Sequence, residues 1–127
     1  MYLGHEDDEG NKKEIFASME GLYKRLNRDI DVTHMYFIRT DGTVLLRVHD
    51  YSKDNDVIER ETFKKAKETQ KLVYGLEFGL KMNYTLRVVK PWYVNGKLIG
   101  YIELGKEIDK IIDEYAHLLG NNVYIAI

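Results

Sequence analysis

The chain has 127 residues, 44% of them apolar and 31% charged, a net charge of −2, one proline and no cysteine. That is the size and composition of one globular domain, not of a disordered tail, a collagen-like repeat or a membrane-embedded chain. The missing cysteines exclude disulfides, thiolate metal sites and cysteine nucleophiles, and the balanced charge leaves no overall field to draw nucleic acid or anionic lipid.

Residues 1–11 are polar and acidic, and a flexible terminal segment is expected there. From 12 to 30 the pattern is helical: Ile15, Met19, Leu22, Leu26 and Ile30 recur at steps of four and three and draw one apolar stripe, with Lys and Glu opposite. The period then changes to two. Residues 32–40 and 43–50 read as strands joined at Asp41-Gly42, a hairpin signal because the tight turn needs positive φ. Asp56-Val57-Ile58-Glu59 has the form of a capping box and predicts a helix from there to about residue 71. Strands follow at 72–78, 83–94 and 97–106, with Asn95-Gly96 as a second hairpin turn and Pro91 marking an edge, bulge or bend. A helix over 107–119, a cap at Gly120 and a strand over 123–127 complete the expectation. The predicted fold is α+β: a five-stranded antiparallel sheet of PAS-like order (core 31–106), preceded by a long helix and interrupted after its second strand by a helical lid. A single domain over 12–127 is expected.

Three blocks resemble the Cache sensor superfamily: Thr33-His34-Met35-Tyr36-Phe37, Leu46-Arg47-Val48-His49-Asp50 and Asp56-Val57-Ile58-Glu59-Arg60. Gly75-Leu76-Glu77-Phe78-Gly79, Leu86-Arg87-Val88-Val89-Lys90-Pro91 and the stretch from Gly96 to Gly105 continue the pattern in order. More narrowly, the chain is similar to double-Cache-type sensory domains of histidine kinases and chemoreceptors over residues 12–119. The resemblance implies a ligand-sensing domain on the extracytoplasmic, or periplasmic, side of a cell membrane, anchored by transmembrane helices outside this chain. It implies a homodimer through the N-terminal helix, a two-component or chemotaxis output, and no role for nucleic acid. Some relatives carry covalent haem, which needs Cys-x-x-Cys-His; without cysteine that attachment is excluded, and no cofactor is expected.

Strand alternation sorts the polar residues. In PAS order, Arg47, Glu77, Arg87 and Glu103 share a face, either as the lining of a pocket for a small polar or anionic ligand or as a ladder of cross-strand ion pairs. Counting back from the turn pairs His34 with His49; facing imidazoles suit a metal, a protonation switch, or plain hydrogen bonding to the backbone. Tyr36, Tyr74, Trp92, Tyr93 and Tyr101 read as the wall of a cleft beneath the lid or as sheet packing. The family resemblance adds Arg60 as a ligand contact. The candidate ligand-binding set is thus Tyr36, Arg47, His49, Arg60, Tyr74, Glu77, Arg87, Trp92, Tyr101 and Glu103, with no metal site and no catalytic residue. No phosphate loop, nucleophile elbow or zinc-protease motif occurs, so no enzyme is expected. The competing expectation is a ligand-free PAS-like dimerisation or interaction module.

Overall fold

The computed structural model describes residues 8–78 and 83–108. Its order is α1 (Asp8–Ile30), β1 (His34–Ile38), β2 (Val44–Arg47), α2 (Glu61–Thr69), β3 (Val73–Phe78), β4 (Tyr84–Val94) and β5 (Lys97–Glu107). The five strands form one antiparallel sheet in the order β2-β1-β5-β4-β3, the PAS-like order the sequence predicts. The expected helix 107–119 and strand 123–127 lie outside the described residues, except that Glu107 closes β5 instead of opening a helix.

α1 starts at Asp8, four residues before the predicted start, so residues 8–11 belong to the helix. Acidic Asp8 and Glu9 favour the positive helix end, and the Arg39 guanidinium ties Asp8 down at 3.0 Å. Twenty-three residues give a rod of about 35 Å. It ends where Asp31 turns left-handed (φ 58) and the Asp31 and Val32 amides bond back to the Asn27 and Leu26 carbonyls. The apolar stripe is buried only in part. Ile15 is enclosed and Met19 and Leu26 pack on the sheet, but Leu22, on a groove left open between α1 and the sheet, and Ile30, the last residue of the helix, remain 37% and 52% exposed.

The first hairpin is not the two-residue turn the sequence suggests. The Gly42 amide bonds the Arg39 carbonyl and the Arg39 amide the Thr43 carbonyl, so the loop holds three residues with Gly42 at φ 94. This shifts the pairing by one, and a bulge between Phe37 and Ile38 shifts it back, so that Tyr36 faces Arg47 as counted from the turn. Val44 consequently lies on the α2 side and Leu45 on the α1 side, the reverse of simple alternation. At the second hairpin Asn95 and Gly96 both take positive φ, as the favoured tight turn requires. Pro91 sits beyond Val89, where β4 loses β3 as a partner, and a bulge follows at Trp92/Tyr93.

The predicted capping box does not cap. Asp56 is drawn into an ion pair with Arg47, residues 56–60 run extended beside the Asp41-Gly42 turn, and α2 begins only at Glu61 behind Arg60. A buried guanidinium offers Asp56 two charged hydrogen bonds, more than a helix start would. α2 lays Phe63 and Ala66 on Tyr36, Ile38, Val44, Ile58, Val89 and Tyr101. α1 lays Ile15 on Met35, Phe37, Leu45, Leu46 and Val48 across the opposite face. Among the described residues no helix is long and apolar enough to cross a membrane.

Candidate functional site

Beside the Phe63 cluster, on the α2 face, the sheet is left uncovered by apolar side chains and a cavity of about 590 Å³ opens. Two rows of cross-strand neighbours run beneath it, the first passing at Val89 and Val73 into the Phe63 cluster. One runs Arg47, Tyr36, Glu103, Val89, Val73; the next runs His34, Gly105, Arg87, Gly75. Gly105 sits in close contact: a Cβ there would stand 3.1 Å from the His34 Cβ and 3.3 Å from the Thr85 Cγ2, so a larger residue would push these side chains by a few tenths of an ångström. Glu107, Thr85 and Glu77 form a third row at the mouth.

The Arg47 guanidinium donates to both Asp56 carboxylate oxygens at 2.6 and 2.7 Å and to the Lys53 carbonyl at 3.0 Å, which anchors the segment after β2 over the sheet. This pairing holds the Asp56 carboxyl below the usual carboxylate range and raises Arg47 further above neutrality. Arg60, at the head of α2, donates to Glu103 Oε2, and Arg87 donates to the same oxygen at 3.1 Å. The Tyr36 ring lies 4.9 Å from the Arg47 guanidinium and 5.0 Å from that of Arg60, within cation–π range of both. Thr62 donates to Glu77, a second tie from α2 to the sheet. Glu103 is fully buried; burial pushes its carboxyl pKa up against the pull of Arg60 and Arg87. Three buried atoms at this junction have no hydrogen-bond partner among the described residues: Arg60 Nε, Arg87 Nε and Glu103 Oε1.

Of the expected ligand-binding set, Tyr36, Arg47, His49, Arg60, Glu77 and Arg87 line this cavity, and Glu103 lies beneath it, holding two of the guanidiniums. Pocket lining and ion pairing are thus not alternatives: the charges pair with one another at the cavity wall. Three of the set lie elsewhere. Tyr74 alternates out of phase with Gly75 and Glu77's face and is 74% exposed. Trp92 faces α1 and packs edge-on against Phe37 at 5.6 Å. Tyr101 is core, edge-on to Phe63 at 5.0 Å, its hydroxyl accepting the Gln70 side-chain amide at 2.8 Å. Tyr93, also read as cleft wall, donates to the same Gln70 at 2.7 Å. Lining residues outside the predicted set include His34, Asp50, Lys53, Thr85 and Glu107. Strand phase alone would have added Thr85, which shares a row with Glu77, whereas Glu107 joins that row only because β5 runs one residue past its expected end. No cluster of three or more metal-ligating side chains occurs among the described residues, so His34 and His49 have no third ligand there.

The model of a protein family described as the double sensory domain of two-component sensor kinases matches residues 6–127. No curated protein matches the chain. Among solved structures, a domain of a sensory box/GGDEF family protein from Vibrio parahaemolyticus superposes with a TM-score of 0.67 at 20% identity, covering 84% of this chain and 48% of that one. The sensor domain of DcuS from E. coli gives 0.60 at 15% identity, covering 76% of this chain and 71% of that one. The ligand-binding domain of the Campylobacter jejuni chemoreceptor Tlp3, in complex with 4-methylisoleucine, gives 0.59 at 14% identity, covering 87% and 46%. At these identities the likeness is one of fold, and the chain spans about half the length of the Vibrio and Campylobacter domains.

Proposed function

The chain belongs to the double-Cache family of sensory domains, and from that premise we propose that it is the extracytoplasmic ligand-sensing part of a membrane-bound receptor, a sensor histidine kinase or a methyl-accepting chemotaxis protein. Its ligand is a small polar molecule with an anionic group, held without a resident cofactor. The observation that supports this most directly is the cavity, where Arg47, Arg60, Arg87, His34 and His49 converge on one space roofed by the segment after β2. Arginine forks match carboxylates in geometry and charge. The domain acts by binding: Arg60 and Thr62 start the α2 lid and both reach down to the sheet, so a ligand that competes for Arg60 alters how the lid is held. Signalling requires the ligand to favour one lid position over another, since equal affinity for both moves nothing.

A thermal-shift screen of amino acids, organic acids and amines tests this reading, the amino acids first because Tlp3 was solved with 4-methylisoleucine. A ligand at a hundred times its dissociation constant adds about 2.7 kcal/mol, a shift of several degrees for a domain of this size. If no compound in such a library raises the melting temperature, direct sensing is lost. The competing reading is a ligand-free dimerisation module. It is favoured by an apolar groove of about 360 Å³ between α1 and the sheet, walled by Met19, Leu22, Leu26, Phe37, Trp92 and Ile102. Homodimerisation through α1 is compatible with either reading. Sedimentation of the isolated chain tests it, a concentration-independent monomer counting against a dimer through α1.

A further inference from the structure

The cavity's two histidines touch. His34 and His49 meet edge to face with ring centroids 4.7 Å apart, and Tyr36 stands edge-on to His49 at 5.0 Å. Each ring commits Nδ1 to the protein. That of His34 lies 2.8 Å from the Thr33 hydroxyl, and that of His49 accepts the Met35 amide at 3.0 Å. The Thr33 hydroxyl also donates to the Gly105 carbonyl at 3.3 Å and His49 Nδ1 lies 3.3 Å from the Met35 carbonyl, so the tautomer sets which way each Nδ1 bond runs, and no described residue bonds Nε2 of either histidine. Around the pair stand Tyr23 from α1, Tyr36 from β1, Arg47 from β2, and Asp50 and Lys53 from the segment that follows. Arg60 heads α2, Glu77 comes from β3, Arg87 from β4, and Glu103 and Glu107 from β5. Three of these acids are already engaged: Glu103 by two guanidiniums, Glu77 by Thr62 and Asp50 by the Ser52 hydroxyl. The arginines are engaged in turn, Arg47 by Asp56 and Arg60 and Arg87 by Glu103, and the buried side-chain atoms left without a partner among the described residues are Arg60 Nε, Arg87 Nε and Glu103 Oε1.

Both imidazoles titrate at about 4, well under their ordinary 6.5, chiefly through burial; for His34 the neighbouring His49 and then Arg87, Arg60 and Arg47 lower it further. At neutral pH the cavity thus holds two neutral rings among arginines that are already paired with carboxylates. An anion seated beside the pair favours the charged form of the ring and offsets the burial that holds it neutral.

We propose that the cavity takes a small carboxylate and that its binding draws a proton onto the His34–His49 pair, so that the domain reads ligand and acidity together. This rests on the sensing function proposed above. One proton is taken up by the pair, because two charged rings in contact repel. Protonation in the bound state then makes the carboxylate bind more tightly as pH falls, by up to about tenfold per pH unit while one full proton is exchanged.

Pyruvate is a suitable probe, its carboxyl ionised across the whole range used. On the unsubstituted chain, binding is followed by calorimetry from about pH 8 to about pH 5.5, and the imidazole resonances are titrated by NMR with and without saturating pyruvate. The expected result is a dissociation constant that falls with pH and imidazole titrations that move upward in the complex. Pyruvate binding with a flat pH profile and unmoved titrations overturns the proton coupling and leaves sensing intact. Pyruvate failing to perturb the cavity at any pH, while a neutral or cationic compound raises the melting temperature, overturns the carboxylate assignment but again not sensing. If nothing binds at all, the sensing function and this inference fall together.

Discussion

On the α1 side of the sheet, Met35, Phe37, Leu45, Leu46 and Val48 meet Ile15 and its neighbours with hardly a polar atom among them. On the α2 side the sheet presents Tyr36, Arg47, Glu103 and Arg87, three of them in ion pairs, and two of their buried polar atoms, with Arg60 Nε beside them, have no partner among the described residues. The strands alternate, so Met35 and Phe37 flank Tyr36, and Leu46 and Val48 flank Arg47. The α1 face is where apolar burial stabilises the fold; the α2 face gives some of that up to keep charged groups at a cavity. Unsatisfied buried donors and acceptors cost stability wherever they occur, and among the described residues they gather on the α2 face.

The contrast can be broken by substitution. Phe37→Ala, in the apolar cluster, is expected to cost about 3–5 kcal/mol in urea denaturation; a loss below about 1 kcal/mol would mean that face is not the stabilising one. Asp56→Asn, on the polar face, removes the partner of a buried guanidinium and is expected to cost about 2 kcal/mol while loosening the segment after β2, visible as faster amide exchange at 53–57. Unchanged exchange there shows that the pair does not anchor the roof. Both cavity histidines titrate lower in the fold than in the unfolded chain, so below about pH 6.5 the unfolded state binds more protons. Stability is therefore complete above that pH and declines as pH drops toward 4, by about 1 kcal/mol per histidine by pH 5 once partial exposure is allowed for. A stability flat from pH 7 to about pH 5 would contradict the burial of these rings. The smallest effect is expected at Tyr74→Ser, within about 0.5 kcal/mol and without influence on any ligand, since the side chain is 74% exposed on the side away from the cavity. A lost ligand response in that variant would return Tyr74 to the site.

Much of the site was legible because period-two alternation and strand order place residues without any knowledge of side-chain packing. Arg47, Glu77, Arg87 and Glu103 come to one face by phase alone once the order β2-β1-β5-β4-β3 holds. The aromatic wall was the weak part. Tyr74, Trp92 and Tyr101 are chemically alike as letters, and only the phase of each strand, the β4 bulge and the position of α2 send one to solvent, one to α1 and one to the core. Asp56 illustrates the limit from the other side. Its local spacing fits a helix cap, but a buried guanidinium nine residues earlier in the chain outcompetes that use, and local patterns are blind to such partners.

From its sequence alone this chain determined the kinds and order of the elements among its described residues, the two hairpins, the face on which its charges gather and the meeting of His34 with His49. Those follow from periodicity and turn chemistry, which act between near neighbours. Tertiary structure decided that Arg60 and Arg87 share one buried carboxylate, that Asp56 holds the roof, and that a space remains among them. These depend on which distant side chains arrive at the same place, and a void is a property of everything around it.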